Sequence, residues 1–456
     1  MANITDFTIA QTATIAEAFR ALNHNKAGIL FATDESDRVV GAVTDGDIRR
    51  QLLTTNDMQV AVSVCMSRDF VRVVAGTSRE KILKLLDSRI TAVPTLGEAG
   101  ELVDVVSANT LRLDRERQMF ARARAPARIS FGGGGTDLTH YFDVNGGVVI
   151  NATINKFAHA TLRRHDDAHV VIVSRDLGVT AEAPCLADLK CNGEMDLIKA
   201  LVALIEPDFG FELEIASDFP VGSGLGGSSV VAAAVIGCFN VFRTDPWDRH
   251  EIAEMSFQVE RLILKIAGGW QDQYASVFGG FNLMEFTADH NMITPLRLES
   301  RVMRELEESL LLCYTGRSRN SGNIHDDQKV RMQSDEGAQQ IAIDQKRITM
   351  EIKRHLLRGE LSDCGRLLHE AWVSKKKYSP MISSPELDAI YDHAMASGAL
   401  GGKLLGAGGG GYFLFFAPPF GRHRLQAEMQ ALGYETDRIL FDEAGLQTWK
   451  IRMGDE

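Results

Sequence analysis

Gly222, Ser223, Gly224, Leu225, Gly226, Gly227, Ser228 and Ser229 stand in one run, and an apolar window at 229–242 follows. Glycines let successive backbone N–H groups converge on one point. A helix that starts there adds positive potential, so the run suits a triphosphate. The Ser228 hydroxyl can then reach a magnesium ion. Residues 222–227 also satisfy the G-x-G-x-x-G pattern of a dinucleotide-binding turn, which raises hydride transfer as a second chemistry. Such a turn directly follows a nearly continuous apolar strand. Here the strand alternates, Ser217, Asp218, Phe219 and Pro220 intervene, and Pro220 has no N–H for a ladder. Asp245 lies near the offset of a ribose-binding acid, so the acidic criterion alone leaves the dehydrogenase open. The strand criterion weighs against it. A Walker A loop fails for want of a lysine after the last glycine.

Two further glycine clusters, at 132–135 and 406–411, hold much of the chain's 41 glycines' excess and mark places where backbone approaches something closely. They lie within "APARISFGGGGTD" at 125–137 and "GGKLLGAGGGGYFLFF" at 401–416, while "AGGWQDQYASVFGG" occupies 267–280. The last cluster precedes a strand instead of following one, which is the wrong order for a second dinucleotide fold.

The elements around these loops are mixed. In Phe211-Glu212-Leu213-Glu214-Ile215 the apolar residues face one way and the acids the other, as in a half-buried antiparallel strand. Amphipathic helices are predicted at about 195–206, 249–266, 337–358 and 385–397. The 229–242 window carries Gly237 and Asn240, is too short for a membrane span, and reads as a buried helix. Strands mixed with helices in this way predict an α+β fold.

Residues 1–114 differ in texture. A helix at 14–24, a strand "AGILFAT", a turn and a strand "VVGAVT" recur about fifty residues later as "TSREKILKLLDSRI", "AVPTL", a turn and "LVDVVSANTL". That is an internal duplication whose copies bury faces neither could bury alone. A charged linker at 115–121 leads to the second domain, 122–456. At 456 residues, two or three domains are expected.

A net charge of −12, with no long Lys/Arg block, argues against a nucleic-acid partner. No membrane partner is expected. The N-terminus lacks a secretory signal, and six cysteines without C-x-x-C spacing favour reduced thiols in a cytoplasmic protein.

The duplicated segment, with "GAVTDGDIRR", resembles a pair of CBS units, regulatory modules that often bind adenine nucleotides. The resemblance implies a nucleotide contact at Thr44 and Asp47. Ser107 matches Thr44 in the second copy, but Thr110 stands in place of Asp47, so at most one complete site is expected. A homodimer through these units, or a packing module without ligand, is equally compatible.

The three glycine motifs, in their order, resemble the GHMP kinases, the superfamily of galactokinase, homoserine kinase, mevalonate kinase and phosphomevalonate kinase. The resemblance implies a two-lobed fold, ribosomal-S5-like then ferredoxin-like, with ATP and Mg2+ as cofactors. "GGGGTDLTHYFDVNGGVVINATINKFAHATL", "YTGRSRNSGNI", "LLHEAW" and "SGALGGKLLGAGGGG" are most similar to the heptose 7-phosphate kinases, while "GGWQDQ" also occurs in L-fucose kinases.

By that pattern, residues 222–229 cradle the ATP phosphates, and Ser228 with Glu260, twelve residues before Asp272, holds magnesium. Asp272 accepts or orients the proton of the sugar hydroxyl, and Arg128 keeps it ionised. The sugar lies against Gly134, Gly135, Thr136 and Asp137, with Gly408, Gly409 and Gly410 of the third loop. Galactokinase-type enzymes carry Glu-His where Gly134 and Gly135 stand, so this chain has room for a bulkier sugar phosphate. Arg317 and Arg319 are the candidate cations for its phosphate. In Lys375, Lys376 and Lys377 a solvated helix face is the expectation. A catalytically inactive nucleotide sensor, a different class, is opposed by the presence of Arg128, Asp137, Ser228, Glu260 and Asp272.

Overall fold

A computed structural model of the chain describes residues 4–25, 27–86, 90–107, 119–317, 324, 327, 328, 330, 331 and 336–452. It divides into compact units Met1–Glu116 and Arg117–Glu456.

The duplication is visible in the first unit. Strand β1 (Thr8–Ala10), helix α1 (Ile15–Asn25), β2 (Ile29–Thr33), β3 (Val39–Thr44) and helix α2 (Asp45–Thr55) form the first copy. Strand β4 (Val73–Val74), helix α3 (Arg79–Leu85), β5 (Ala92–Leu96) and β6 (Leu102–Ser107) form the second. In each copy the first strand runs parallel to the second, which pairs antiparallel with the third. Phe31, Val39 and Ala42 from one copy share a core with Ala92, Leu96 and Val105 from the other. Each three-stranded sheet therefore covers the face that the other leaves open.

The second unit contains an eight-stranded sheet. Its strands are β7 (Met119–Gly132), β8 (Gly147–His165), β9 (Val170–Ser174), β10 (Val179–Ala183), β11 (Gly210–Ser217), β12 (Phe281–Phe286), β13 (Asn291–Pro295) and β18 (Gln447–Arg452). Helix α4 (Thr139–Asn145) follows β7, α5 (Asp196–Ile205) precedes β11, and α6 (Gly227–Asn240) follows the first glycine run. Next come α7 (Arg249–Phe257), continued by a π-helical turn at Gln258–Ile263, and α8 (Gln271–Phe278). The alternation in β11 behaves as expected, with Phe211, Leu213 and Ile215 buried. Ala121, Ala123, Ala125 and Ala127 are among the buried residues of β7. Such small side chains let the apolar helix α6 pack closely over β7 and β8. Strand β11 lies antiparallel to β8, and this sheet is not doubly wound and parallel.

A second, four-stranded antiparallel sheet is ordered β15 (Gly401–Leu404), β16 (Tyr412–Phe416), β14 (Leu310–Tyr314), β17 (Thr436–Arg438). Helices α9 (Ser300–Ser309), α10 (Glu336–Arg358), α11 (Leu361–Lys375), α12 (Pro385–Ala396) and α13 (Arg422–Ala431) complete the unit. The aromatic core of this lobe gathers Trp372, Tyr378, Tyr391, Phe413 and Phe415. The unit is α+β with two lobes, and its glycine loops lie where the two sheets' chains meet. All six cysteines are free thiols. No described helix is long and apolar enough to cross a membrane.

Candidate active site

Arg128 leaves β7 and is almost fully buried, at 4% exposure. Its Nε and Nη2 donate to the two carboxylate oxygens of Asp272 at 2.7 and 2.8 Å, and Nη1 donates to the Gly224 carbonyl at 2.7 Å. One guanidinium thus ties the acid on the first turn of α8 to the first glycine run in a bidentate fork. A Cβ on Gly226 would stand 3.3 Å from the Asp272 carboxyl carbon and 3.5 Å from Arg128 Cζ, at φ +81°. The backbone conformation there favours glycine, and an added Cβ would press tightly on the ion pair.

Asp137 faces the same ion pair. Its Oδ2 accepts from Gln271 Nε2 at 3.0 Å, and its Oδ1 accepts from the Gly135 N–H at 3.2 Å. Burial, and secondarily the charge of Asp272, push its carboxyl above the usual range, while the Gln271 amide donors oppose the shift. The "GGWQ" segment wraps this acid so closely that a Cβ on Gly269 would lie 1.9 Å from Asp137 Oδ2. Trp270 stacks on Phe257 with centroids 3.5 Å apart and donates from Nε1 to Thr139 Oγ1 at 2.9 Å, so it packs the wall.

The first and third glycine loops lie back to back. Gly222, Gly224 and Gly226 all have positive φ. A Cβ on Gly224 would meet the Leu405 carbonyl oxygen at 2.9 Å, and one on Gly406 would meet Gly224 Cα at 2.8 Å. The Tyr412 N–H donates to the Ser223 carbonyl at 3.0 Å, pinning β16 to the loop. Between them opens a cavity of about 430 Å3, lined by Gly222, Ser223, Gly224, Gly226, Gly227 and Ser228 on one side and by Gly134, Gly135, Asp137, Gly408 and Gly410 elsewhere. Arg128 and Asp272 line it too.

Several expected contacts stand behind this wall. Leu225 is fully buried, and its carbonyl accepts from the Arg128 N–H at 3.3 Å. The Gly409 N–H is used by the Ile382 carbonyl at 2.8 Å. Thr136 is fully buried, its hydroxyl within 2.8 Å of the Gly133 carbonyl and 2.9 Å of the Val148 carbonyl, so it shapes the loop instead of facing the cavity.

The expectation of a solvated face is corrected at Lys375, and the Arg317 side chain is placed away from the cavity lining. Arg317 has half its side chain exposed, points to Glu386 at 3.6 Å and does not line the cavity. Its backbone contributes instead, the carbonyl accepting from the Gly411 N–H at 2.8 Å. Arg319 lies outside the described residues. Lys375, expected on a solvated face, is buried and lines the cavity, donating from Nζ to the carbonyls of Leu404 at 3.3 Å and Gly406 at 2.5 Å. The reason is helical phase: Cys364, Leu368, Ala371, Trp372 and Lys375 share α11's buried stripe. Lys376 instead pairs with Asp388, and Lys377 is exposed.

Lys403 was not singled out from the sequence. It is the charged residue of a wholly buried strand that ends at the third glycine loop, and that pattern could have exposed it. Burial, with repulsion from Arg128, brings its ammonium down to about 8, opposed by Asp137. Lys375 is held well below the usual lysine range by burial, then by Lys403 and Arg128, again opposed by Asp137.

Glu260 sits on the π-helical turn and is fully buried. The hydroxyl that donates to its Oε2, at 2.8 Å, belongs to Ser229, not to Ser228. Gln273 donates to the same oxygen, while Oε1 has no hydrogen-bond partner among the described residues. Ser228 is exposed at the cavity. In the first unit, Thr44 and Asp47 are brought together as the capping box of α2. The Thr44 N–H and hydroxyl both donate to Asp47 Oδ2, at 2.9 and 2.6 Å, and Oδ1 pairs with Arg50. Both side chains are therefore engaged in starting the helix, a local use that the expected nucleotide contact did not anticipate. Thr110 lies outside the described residues.

Models described as the N-terminal domain of GHMP kinases and the C-terminal part of GHMP kinases match residues 196–280 and 352–435. D-glycero-alpha-D-manno-heptose 7-phosphate kinase of Campylobacter jejuni is 36% identical over 338 residues, covering 72% of this chain and 99% of that protein. The chain belongs to the GHMP kinases. A CBS domain model matches residues 3–54 of this GHMP kinase. The L-fucokinase/L-fucose-1-P guanylyltransferase of Bacteroides fragilis is 28% identical over 435 residues, covering 87% of this chain and 44% of that protein. The crystal structure of a D-glycero-D-manno-heptose 1-phosphate kinase from Bacteroides thetaiotaomicron superposes with a TM-score of 0.62 at 28% identity, over 73% of this chain and all of that one. This GHMP kinase is therefore a phosphotransferase of the sugar kinase kind, carrying a CBS domain at its N-terminus.

Proposed function

We propose that this GHMP kinase transfers the γ-phosphoryl group of ATP to the anomeric hydroxyl of D-glycero-D-manno-heptose 7-phosphate, giving the 1,7-bisphosphate. The observation that carries the reading is the Arg128–Asp272 fork, set beside Asp137 and facing the first glycine run across one cavity. Support for the sugar comes from the Campylobacter relative. It also comes from Gly134, where an added Cβ would meet nothing within 4 Å, so the acceptor end has room.

Phosphoryl transfer needs placement and charge neutralisation more than covalent chemistry. Backbone N–H groups at the end of the first glycine run and at the start of α6 receive the ATP phosphates. Asp272 orients the attacking hydroxyl and takes its proton, and the Arg128 fork fixes that carboxylate's position. Asp137 binds a neighbouring sugar hydroxyl. The chemistry of two groups suits Mg2+: Glu260, fully buried behind Ser229 and outside the cavity lining, keeps an unpartnered anionic Oε1, and Ser228 offers a hydroxyl at the cavity. Glu260 and Ser228 would hold the ion, which when bound neutralises charge on the phosphates.

A second reading, an L-fucose 1-kinase, is favoured by the extent of the match to the Bacteroides fragilis protein. ADP release with magnesium and ATP, comparing the heptose 7-phosphate, L-fucose and free hexoses, tests both. Turnover on the heptose phosphate alone supports the first reading, and turnover on L-fucose alone replaces it with the second. Adenine-nucleotide binding and pairing of two chains at the CBS unit form the regulatory part of the proposal. AMP titration of the full chain and of Asp47→Ala tests it, and equal binding by both removes Asp47 from the site.

A further inference from the structure

We infer that Lys375 and Lys403 form the seat for the phosphate group that the acceptor sugar already carries. The inference rests on the reading of the acceptor as a sugar phosphate and moves its recognition away from the loop of Arg317.

Both lysines are nine-tenths or more buried and both line the cavity. Among the described residues, neither ammonium lies within 4.0 Å of a carboxylate. Two lysines buried at one cavity are both held below the usual range, and an anion seated with them restores their charged forms and offsets the cost of burying them. In the protonated form that an anion favours, each ammonium has three N–H donors. Lys375 uses two on the carbonyls of Leu404 and Gly406. Among the described residues, the hydrogen bond of Lys403 Nζ is a long one, 3.5 Å to Ser130 Oγ. Donors therefore remain on both, and those of Lys403 are nearly all unspent.

Position assigns the anion. Ser130 follows Arg128 by two residues in β7, so the two side chains share a face of that strand. Lys403, reaching across from β15, therefore stands on the Arg128 face of β7, the strand that leads into Gly134, Gly135 and Asp137. The ATP phosphates have their own cradle in the first glycine run and the start of α6. A phosphate on the acceptor is the anion left for the lysine wall. Arg317, half exposed and paired with Glu386, is not on it.

The test is steady-state kinetics on the full chain with Lys375→Met, Lys403→Met, Lys403→Arg and Arg317→Ala. Loss of a charged hydrogen bond corresponds to roughly 10- to 100-fold. Each methionine variant is expected to raise KM for the heptose 7-phosphate by that factor while KM for ATP stays within about twofold. Lys403→Arg, which keeps the charge, should recover part of the loss, and Arg317→Ala should leave KM near the unmodified chain. Inorganic phosphate should compete with the acceptor in the unmodified chain and lose that effect in Lys403→Met.

A rise in KM for ATP alone would assign the lysines to the donor and overturn the inference. So would a fall in kcat with acceptor KM unchanged. Turnover of the heptose 7-phosphate with normal KM in both methionine variants would sink the lysine seat and leave the substrate reading standing. Turnover of L-fucose alone, without inhibition by inorganic phosphate, would sink both.

Discussion

Arg128 holds both carboxylate oxygens of Asp272 and, with its remaining terminal nitrogen, the carbonyl of Gly224, so the acid and the first glycine run are set against each other by one side chain. Lysine cannot reproduce that fork, because its ammonium is a point charge without two parallel donors. Arg128→Lys should lower kcat by about 10- to 100-fold, the loss of one charge-assisted bond, with a smaller change in KM for ATP. Arg128→Ala should also destabilise the fold by about 3–5 kcal/mol, since it strands a carboxylate. Urea unfolding alongside kinetics separates the two effects.

Gly226→Ala places a methyl against the Asp272 carboxyl carbon at 3.3 Å, at a φ that L residues avoid. The conformational cost is about 1–2 kcal/mol. Activity should fall further than that stability loss explains, because the fork itself is displaced. A melt that shifts by only a few degrees beside a kcat reduced more than tenfold is the expected pattern.

Burial, then Arg128, brings the Lys403 ammonium down to about 8, with Asp137 opposing. Its protonated form is the one that attracts a phosphate, so the sign is fixed: affinity is full below that value and falls as pH rises through it. KM for the phosphorylated acceptor should therefore increase above about pH 8, approaching tenfold per unit, while KM for an unphosphorylated sugar stays flat. Lys403→Arg should remove the rise.

Glu260→Gln keeps the Ser229 and Gln273 contacts within reach but removes the charge behind the unpartnered oxygen. The magnesium concentration for half-maximal rate should rise by more than tenfold, with activity partly recovered at high magnesium. Unchanged magnesium dependence would remove Glu260 from the metal's ligands.

Much of this site was legible because glycine carries its reason in the sequence. Runs at 132–135, 222–227 and 406–411 are places where added Cβ atoms collide, as at Gly224, Gly406 and Gly133. The alternation of β11 and the duplication of the first unit were likewise readable as periodicity. What spacing cannot show is which face turns inward when a charge sits at an apolar position. Lys375 reads as one of three consecutive lysines, yet the phase set by Trp372 and Leu368 takes it alone into the cavity. Lys403 is masked by its glycines. Arg317, in contrast, stands in a loop whose backbone, not its guanidinium, contacts the third glycine run. Ser228 and Ser229 are adjacent, and only the start of α6 decides which one turns toward Glu260.

The most direct measurement is ADP release with magnesium, ATP and D-glycero-D-manno-heptose 7-phosphate by the full chain and by Asp272→Asn. Removing the proton acceptor should lower kcat by about 100- to 10,000-fold with KM for ATP nearly unchanged. Undiminished turnover in Asp272→Asn would contradict the assignment of that carboxylate, and with it the account of the site.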